Sequence, residues 1–133
     1  MKKYAQMRII DLIAKVAAQA KRAAETTDEA AIHDLRVAIR RLSRGLRVFA
    51  QFFPGKSWKQ IRLELSELMS AAAHVRDRDI AAELLEKAGV AKRARVMTTL
   101  AKERTAAAEA LQAALQDWLG RDAPRQWKGA LEL

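Results

Sequence analysis

Residues 32–53 read Ile-His-Asp-Leu-Arg-Val-Ala-Ile-Arg-Arg-Leu-Ser-Arg-Gly-Leu-Arg-Val-Phe-Ala-Gln-Phe-Phe. At about 100° per residue, Leu35, Ala38, Ile39, Leu42, Leu46, Phe49 and Phe53 share one face of a helix, and His33, Arg36, Arg40, Arg44 and Arg47 share another. The first face requires a hydrophobic core to cover it. The second stacks an imidazole and four guanidinium groups along roughly 21 Å, at ~1.5 Å rise per residue, with Arg41 to one side. Like charges at i,i+4 repel by about a few tenths of a kcal/mol per pair, and Asp34 is the one counter-charge within the run. Such a stripe is either solvated or meets an anion. Its use of Arg rather than Lys favours the anion, because the planar guanidinium fork fits phosphate oxygens.

The rest of the chain supplies the core. The first helix is predicted over about 4–25, with Ile9, Ile13, Val16, Ala20 and Ala24 inward and Arg8, Lys15 and Arg22 on a solvated side. Thr26-Thr27-Asp28-Glu29 has the Thr-x-x-Glu form of a capping box, which starts the second helix. Pro54 and Gly55 end it. Ser57 is the candidate N-cap of a third helix to about Val75, with Trp58, Ile61, Leu65, Leu68, Met69 and Ala72 inward and Lys59, Arg62, Ser66 and Ser70 on its other side. A short turn joins these helices, so they pack antiparallel, which brings Lys59 and Arg62 towards the C-terminal end of the arginine stripe.

Arg76-Asp77-Arg78-Asp79 interrupts the apolar period, and Asp77 or Asp79 is expected to cap a short helix ending near Gly89. A last long helix is predicted over about 90–119, with Met97, Ala101, Ala108, Leu111, Leu115 and Trp118 inward. Residues 120–133 lose the period, and Pro124 and Gly129 there predict an extended tail. The expected fold is an all-α antiparallel four-helix bundle over 1–119, with its hairpin broken near residue 77, followed by the tail.

Composition narrows the chemistry. The 133 residues include 25 Lys and Arg against 16 Asp and Glu, a net charge of +9 that calls for a polyanionic partner. No cysteine is present, which excludes disulfides and thiol catalysis. No apolar run is long enough for a signal core or membrane span, so a cytoplasmic protein without membrane contact is expected. Gly55-Lys56-Ser57 resembles the end of a phosphate loop, but Ala50 stands where that loop needs glycine and no strand precedes it. His33 and His74 lie on different helices without a third ligand at metal spacing. No convergent nucleophile and base are visible, so no enzymatic activity, cofactor or metal is expected. The basic face carries no aromatic platform for bases, leaving sequence-independent nucleic-acid binding through phosphates as a secondary reading. Docking to an acidic protein partner is another.

The run His33-Asp34-Leu35-Arg36-Val37-Ala38-Ile39-Arg40-Arg41-Leu42, followed by Val75-Arg76-Asp77-Arg78-Asp79-Ile80, resembles the conserved histidine α-helical domain, or CHAD, family. Ala73 stands where that family often has glycine. The resemblance implies an all-helical domain that binds inorganic polyphosphate and is associated with polyphosphate granules. It implicates His33, Arg36, Arg40, Arg41 and Arg44, with Arg76 more distantly; Arg47, Lys59 and Arg62 join them by helical spacing. The Glu-x-Glu-x-Lys signature of the companion triphosphatase is absent, so hydrolysis is not implied. The family's domain has two helical bundles flanking a basic channel, and this chain has room for one. Either one bundle binds through an open groove, or two chains pair to rebuild the channel; two-fold pairing is common, which favours a homodimer.

Overall fold

The computed structural model describes all residues, 1–133, and is built of helices alone. The first, α1, spans Lys2–Glu25 and α2 spans Glu29–Val48. A single 3-10 turn, Ala50–Phe52, leads through Pro54 and Gly55 to α3, Ser57–Lys87. Next come α4, Arg95–Gly120, and a short α5, Ala123–Ala130. α1 packs on α2 and α4, and α3 on α2 and α4, so the four long helices form a square in chain order. Ile9, Ile13, Val16, Leu35, Ile39, Leu42, Leu65, Leu111, Leu115 and Trp118 fill its centre, each at most 2 % exposed. These are the stripes the helical period predicts. Ala101 departs from it and is exposed, while Ala24, Phe49, Trp58 and Met69 are partly buried at the core's margin.

Gly45 of α2 lies directly against side chains of α1. A Cβ there would lie 2.9 Å from Leu12 Cδ1 and 3.2 Å from Ile9 Cδ1. Glycine costs a helix interior about 0.5–1 kcal/mol relative to alanine; at this crossing it makes room for two core side chains.

Four local expectations are corrected. The hairpin is not broken near residue 77: α3 runs for 31 residues through Arg76-Asp77-Arg78-Asp79. Asp79 occupies an inward position of the helical stripe and is 8 % exposed. It accepts from Arg104 Nε at 2.6 Å and Arg104 Nη2 at 3.4 Å, and Arg104 Nη2 also donates to the Thr27 carbonyl at 2.6 Å. A charged core residue thus imitates a helix end in the sequence, while serving as a clamp among α3, α4 and the α1–α2 turn. α3 ends at Lys87, where Gly89 adopts φ +86° and its N–H donates to the Glu86 carbonyl.

The cap of α2 is Asp28, whose carboxylate accepts from the Ala31 N–H at 2.8 Å. Thr26 instead closes α1, its N–H donating to the Arg22 carbonyl. Ser57 is the first residue of α3 rather than its cap. Finally, the tail over 120–133 is folded. Pro124 sits in the first turn of α5, where a missing N–H costs no helical bond. Trp127 and Leu131 are buried; the Trp127 ring meets Trp118 edge-on at 5.2 Å, and Trp127 Nε1 donates to Glu64 Oε2 at 2.8 Å. The lost period of this segment reflects its shortness: eight residues offer too few turns to display one. No helix is long and apolar enough to cross a membrane.

Candidate anion-binding groove

The apolar face of α2 is held by α1 and α3, which turns the arginine stripe outward along the α2–α3 seam. There an open groove of about 730 Å³ is walled by Arg40, Arg44 and Arg47 from α2 and by Lys59 and Arg62 from α3. Both α3 residues thus lie beside the stripe as the antiparallel hairpin requires. Ser43, Ser66 and Ser70 add hydroxyl groups, and Ile39, Leu63, Leu65, Met69 and Ala73 complete the wall. Arg62 Nε donates to Ser43 Oγ at 3.1 Å, a contact that ties the two helices and holds the guanidinium over the groove. The Lys59 ammonium lies 5.5 Å from the centre of the Trp58 ring, a cation–π contact that restrains it.

No carboxylate lines the groove. Nor do Arg36, Arg40, Arg41, Arg44, Arg47, Lys59 and Arg62 take part in any of the ion pairs, which involve Arg8, Lys15, Arg22, Arg76, Arg78, Arg104 and Arg121 instead. Asp34, the one acid within the stripe's own stretch, is drawn to Arg22 on α1 at 2.6 Å. Ion pairs between the long helices join α1 to α2 through Arg22 and Asp34 and α3 to α4 through Arg78–Glu103 and Arg104–Asp79, whereas none joins α2 to α3, and the groove's cations have no carboxylate partner.

The remaining candidates fall outside the groove wall. His33 is exposed one turn before Arg36 on the outer face of α2. Arg36 is half-buried, with a Nε atom that is out of solvent and has no acceptor. Arg41 lines a separate depression of about 250 Å³ between α1 and α2, with Lys15, Gln19 and Asp34. Arg76 is 3.8 Å from Glu83 on its own helix. Ser43 is a groove residue that the charge pattern alone does not single out. Its signal was its place three residues after Arg40, on the flank of α2 that meets α3.

The CHAD-domain family model matches residues 8–132. The chain belongs to the CHAD family. The match runs through α5, so the segment after Gly120 is part of the CHAD domain and not an appendage to it. No curated protein and no solved structure matches the chain. CHAD domains are linked to polyphosphate-related proteins, which gives the unneutralised groove its chemical context.

Proposed function

We propose that this CHAD domain binds inorganic polyphosphate in the α2–α3 groove and does not hydrolyse it. The observation that carries the reading is the set of five cations, Arg40, Arg44, Arg47, Lys59 and Arg62, around a groove without a carboxylate. Each guanidinium offers forked donors to phosphate oxygens, and Ser43, Ser66 and Ser70 offer further hydrogen bonds to the same acceptors. A phosphoanhydride chain carries a regular row of charges and no bases, which suits a groove lined by no aromatic residue. His33 and Arg36 extend the basic face beyond one end of the groove, Arg41 flanks it, and Arg76 lies further along α3.

Calorimetric titration of long-chain polyphosphate into the native protein and into Arg40→Ala/Arg44→Ala/Arg62→Ala tests this. Charge-assisted hydrogen bonds contribute about 1.5–3 kcal/mol each, discounted here for solvent exposure to ~1 kcal/mol, so the triple variant should lose about a hundredfold in affinity. Unchanged affinity refutes the site. Phosphate release from polyphosphate or triphosphate by the native protein would refute the non-catalytic part.

One feature favours a second reading. Leu63 is 55 % exposed beside Met69 in the groove, and polyphosphate has no apolar part to cover them. An acidic protein segment with an apolar side chain does. That reading predicts that Leu63→Ser weakens an acidic peptide and leaves polyphosphate unaffected.

A further inference from the structure

α1 has two apolar faces, and the bundle uses one. Opposite its core face, Met7 is 63 % exposed, Ile10 is 37 % exposed, and Ala14 and Ala18 are exposed. With Lys3 at one end and Lys21 at the other, they follow one another in steps of four, three, four, four and three residues, while the neighbouring Ala17 is half-buried against the bundle's own core. Such steps keep the residues on one side of the helix, as in a helix that packs against another helix. The stripe points outward and towards α4, on the side of the square away from the α2–α3 groove.

We propose that this face of α1 pairs with the same face of a second copy, antiparallel, about a two-fold axis at Ala14. Charge selects the occupant and its direction. In the antiparallel register Lys3 faces Glu25 of the second copy, Met7 lies along the apolar stem of its Lys21, Ile10 meets its Ala18, and Ala14 meets its Ala14. Each end of the seam then joins opposite charges, twice over by symmetry. A parallel pair sets Lys3 against Lys3 and Glu25 against Glu25. The small side chains at the centre allow the helix backbones to approach closely. Pairing through the other side of the bundle brings two cationic grooves together, which like-charge repulsion opposes unless a polyanion lies between them; pairing through α1 keeps them far apart and needs no ligand.

Such a dimer leaves both grooves open on opposite outer sides rather than enclosing a shared channel. Insofar as each groove takes polyphosphate, the pair is bivalent and bridges two chains. The pairing itself stands independently of that reading.

The absence of cysteine allows a clean test. Under mild oxidation Ala14→Cys should form a disulfide-linked dimer, because the residue faces itself across the axis. Met7→Cys and Lys21→Cys should cross-link only when mixed. Ala110→Cys, exposed on α4, measures random collision. In sedimentation the native chain should dimerise at micromolar concentration and Ala14→Glu should not, with the helical circular dichroism of both unchanged. A monomeric native chain overturns the proposal, as does Ala14→Cys cross-linking no faster than Ala110→Cys. None of these measurements involves polyphosphate, so loss of ligand binding and loss of pairing are told apart.

Discussion

Replacing Asp79 by alanine removes the acceptor that α3 offers to α4. Asp79 is 8 % exposed and Arg104 29 % exposed, so the pair is buried on the carboxylate side and half-open on the guanidinium side. Leaving one partner of a fully buried pair alone costs about 3–5 kcal/mol. In Asp79→Ala the survivor is Arg104, which keeps its 2.6 Å bond to the Thr27 carbonyl and reaches water. The loss should therefore fall below that range, at about 2–3 kcal/mol, the worth of one to two charge-assisted hydrogen bonds. Arg104→Ala should cost more, about 3–5 kcal/mol, because it strands a carboxylate in the core. Asp77→Ala, two residues away and exposed, should change stability by less than about 0.5 kcal/mol. Urea denaturation followed by helical circular dichroism reads all three, and a double-mutant cycle should give an Asp79–Arg104 coupling of about 1–3 kcal/mol. Equal effects of Asp77→Ala and Asp79→Ala would refute the clamp and restore a capping role for both acids.

Three other perturbations separate the structure from simpler readings of the sequence. Asp28→Ala should cost about 1 kcal/mol through loss of the α2 cap, whereas Thr26→Ala should change urea stability by less than about half of that; the reverse order would reinstate the capping box. Trp127→Ala removes the ring packed on Trp118 and should cost about 3–5 kcal/mol, with a shift in tryptophan fluorescence; an unchanged urea midpoint would mean that α5 does not dock. In polyphosphate titrations Arg62→Ala should lower affinity several-fold more than Arg41→Ala, because Arg62 walls the groove and Arg41 lies over the α1–α2 depression.

The fold was legible wherever a helix was long enough to repeat its period. Leu35, Ile39, Leu42 and Leu46, or Ile61, Leu65, Leu68 and Ala72, announce both a helix and the side it buries. What escaped was what depends on a partner distant in sequence. Asp79 looks like an interruption until Arg104, 25 residues on, supplies its counter-charge. Thr26 and Asp28 are both competent N-caps, and only the backbone at the end of α1 decides between them. Trp127 and Leu131 find their core because Asp122, at φ +53°, reverses the chain after α4. For the site, spacing placed Arg40, Arg44 and Arg47 on one line, and antiparallel packing brought Lys59 and Arg62 to it. The same spacing cannot separate Arg41, 100° around the helix, from that line's functional neighbourhood, nor show that Arg76 is answered by Glu83.

The clamp and the groove meet in one thermodynamic consequence. A ligand that binds only the folded chain stabilises it by RT ln(1 + [L]/Kd), about 2.7 kcal/mol when it is present at a hundred times Kd. That matches the roughly 2–3 kcal/mol assigned to Asp79→Ala. Asp79 is buried against Arg104 and lines no part of the groove, so its removal should weaken folding without altering the cations that meet the ligand. Polyphosphate at that excess should therefore return the melting temperature of Asp79→Ala close to that of the native chain without ligand. It should do little for a chain that also carries Arg40→Ala, Arg44→Ala and Arg62→Ala: with affinity about a hundredfold lower, the same concentration sits near Kd and stabilises by only about 0.4 kcal/mol. Rescue of both variants alike would mean that polyphosphate acts through general charge on a +9 chain and that the groove has no special part in it.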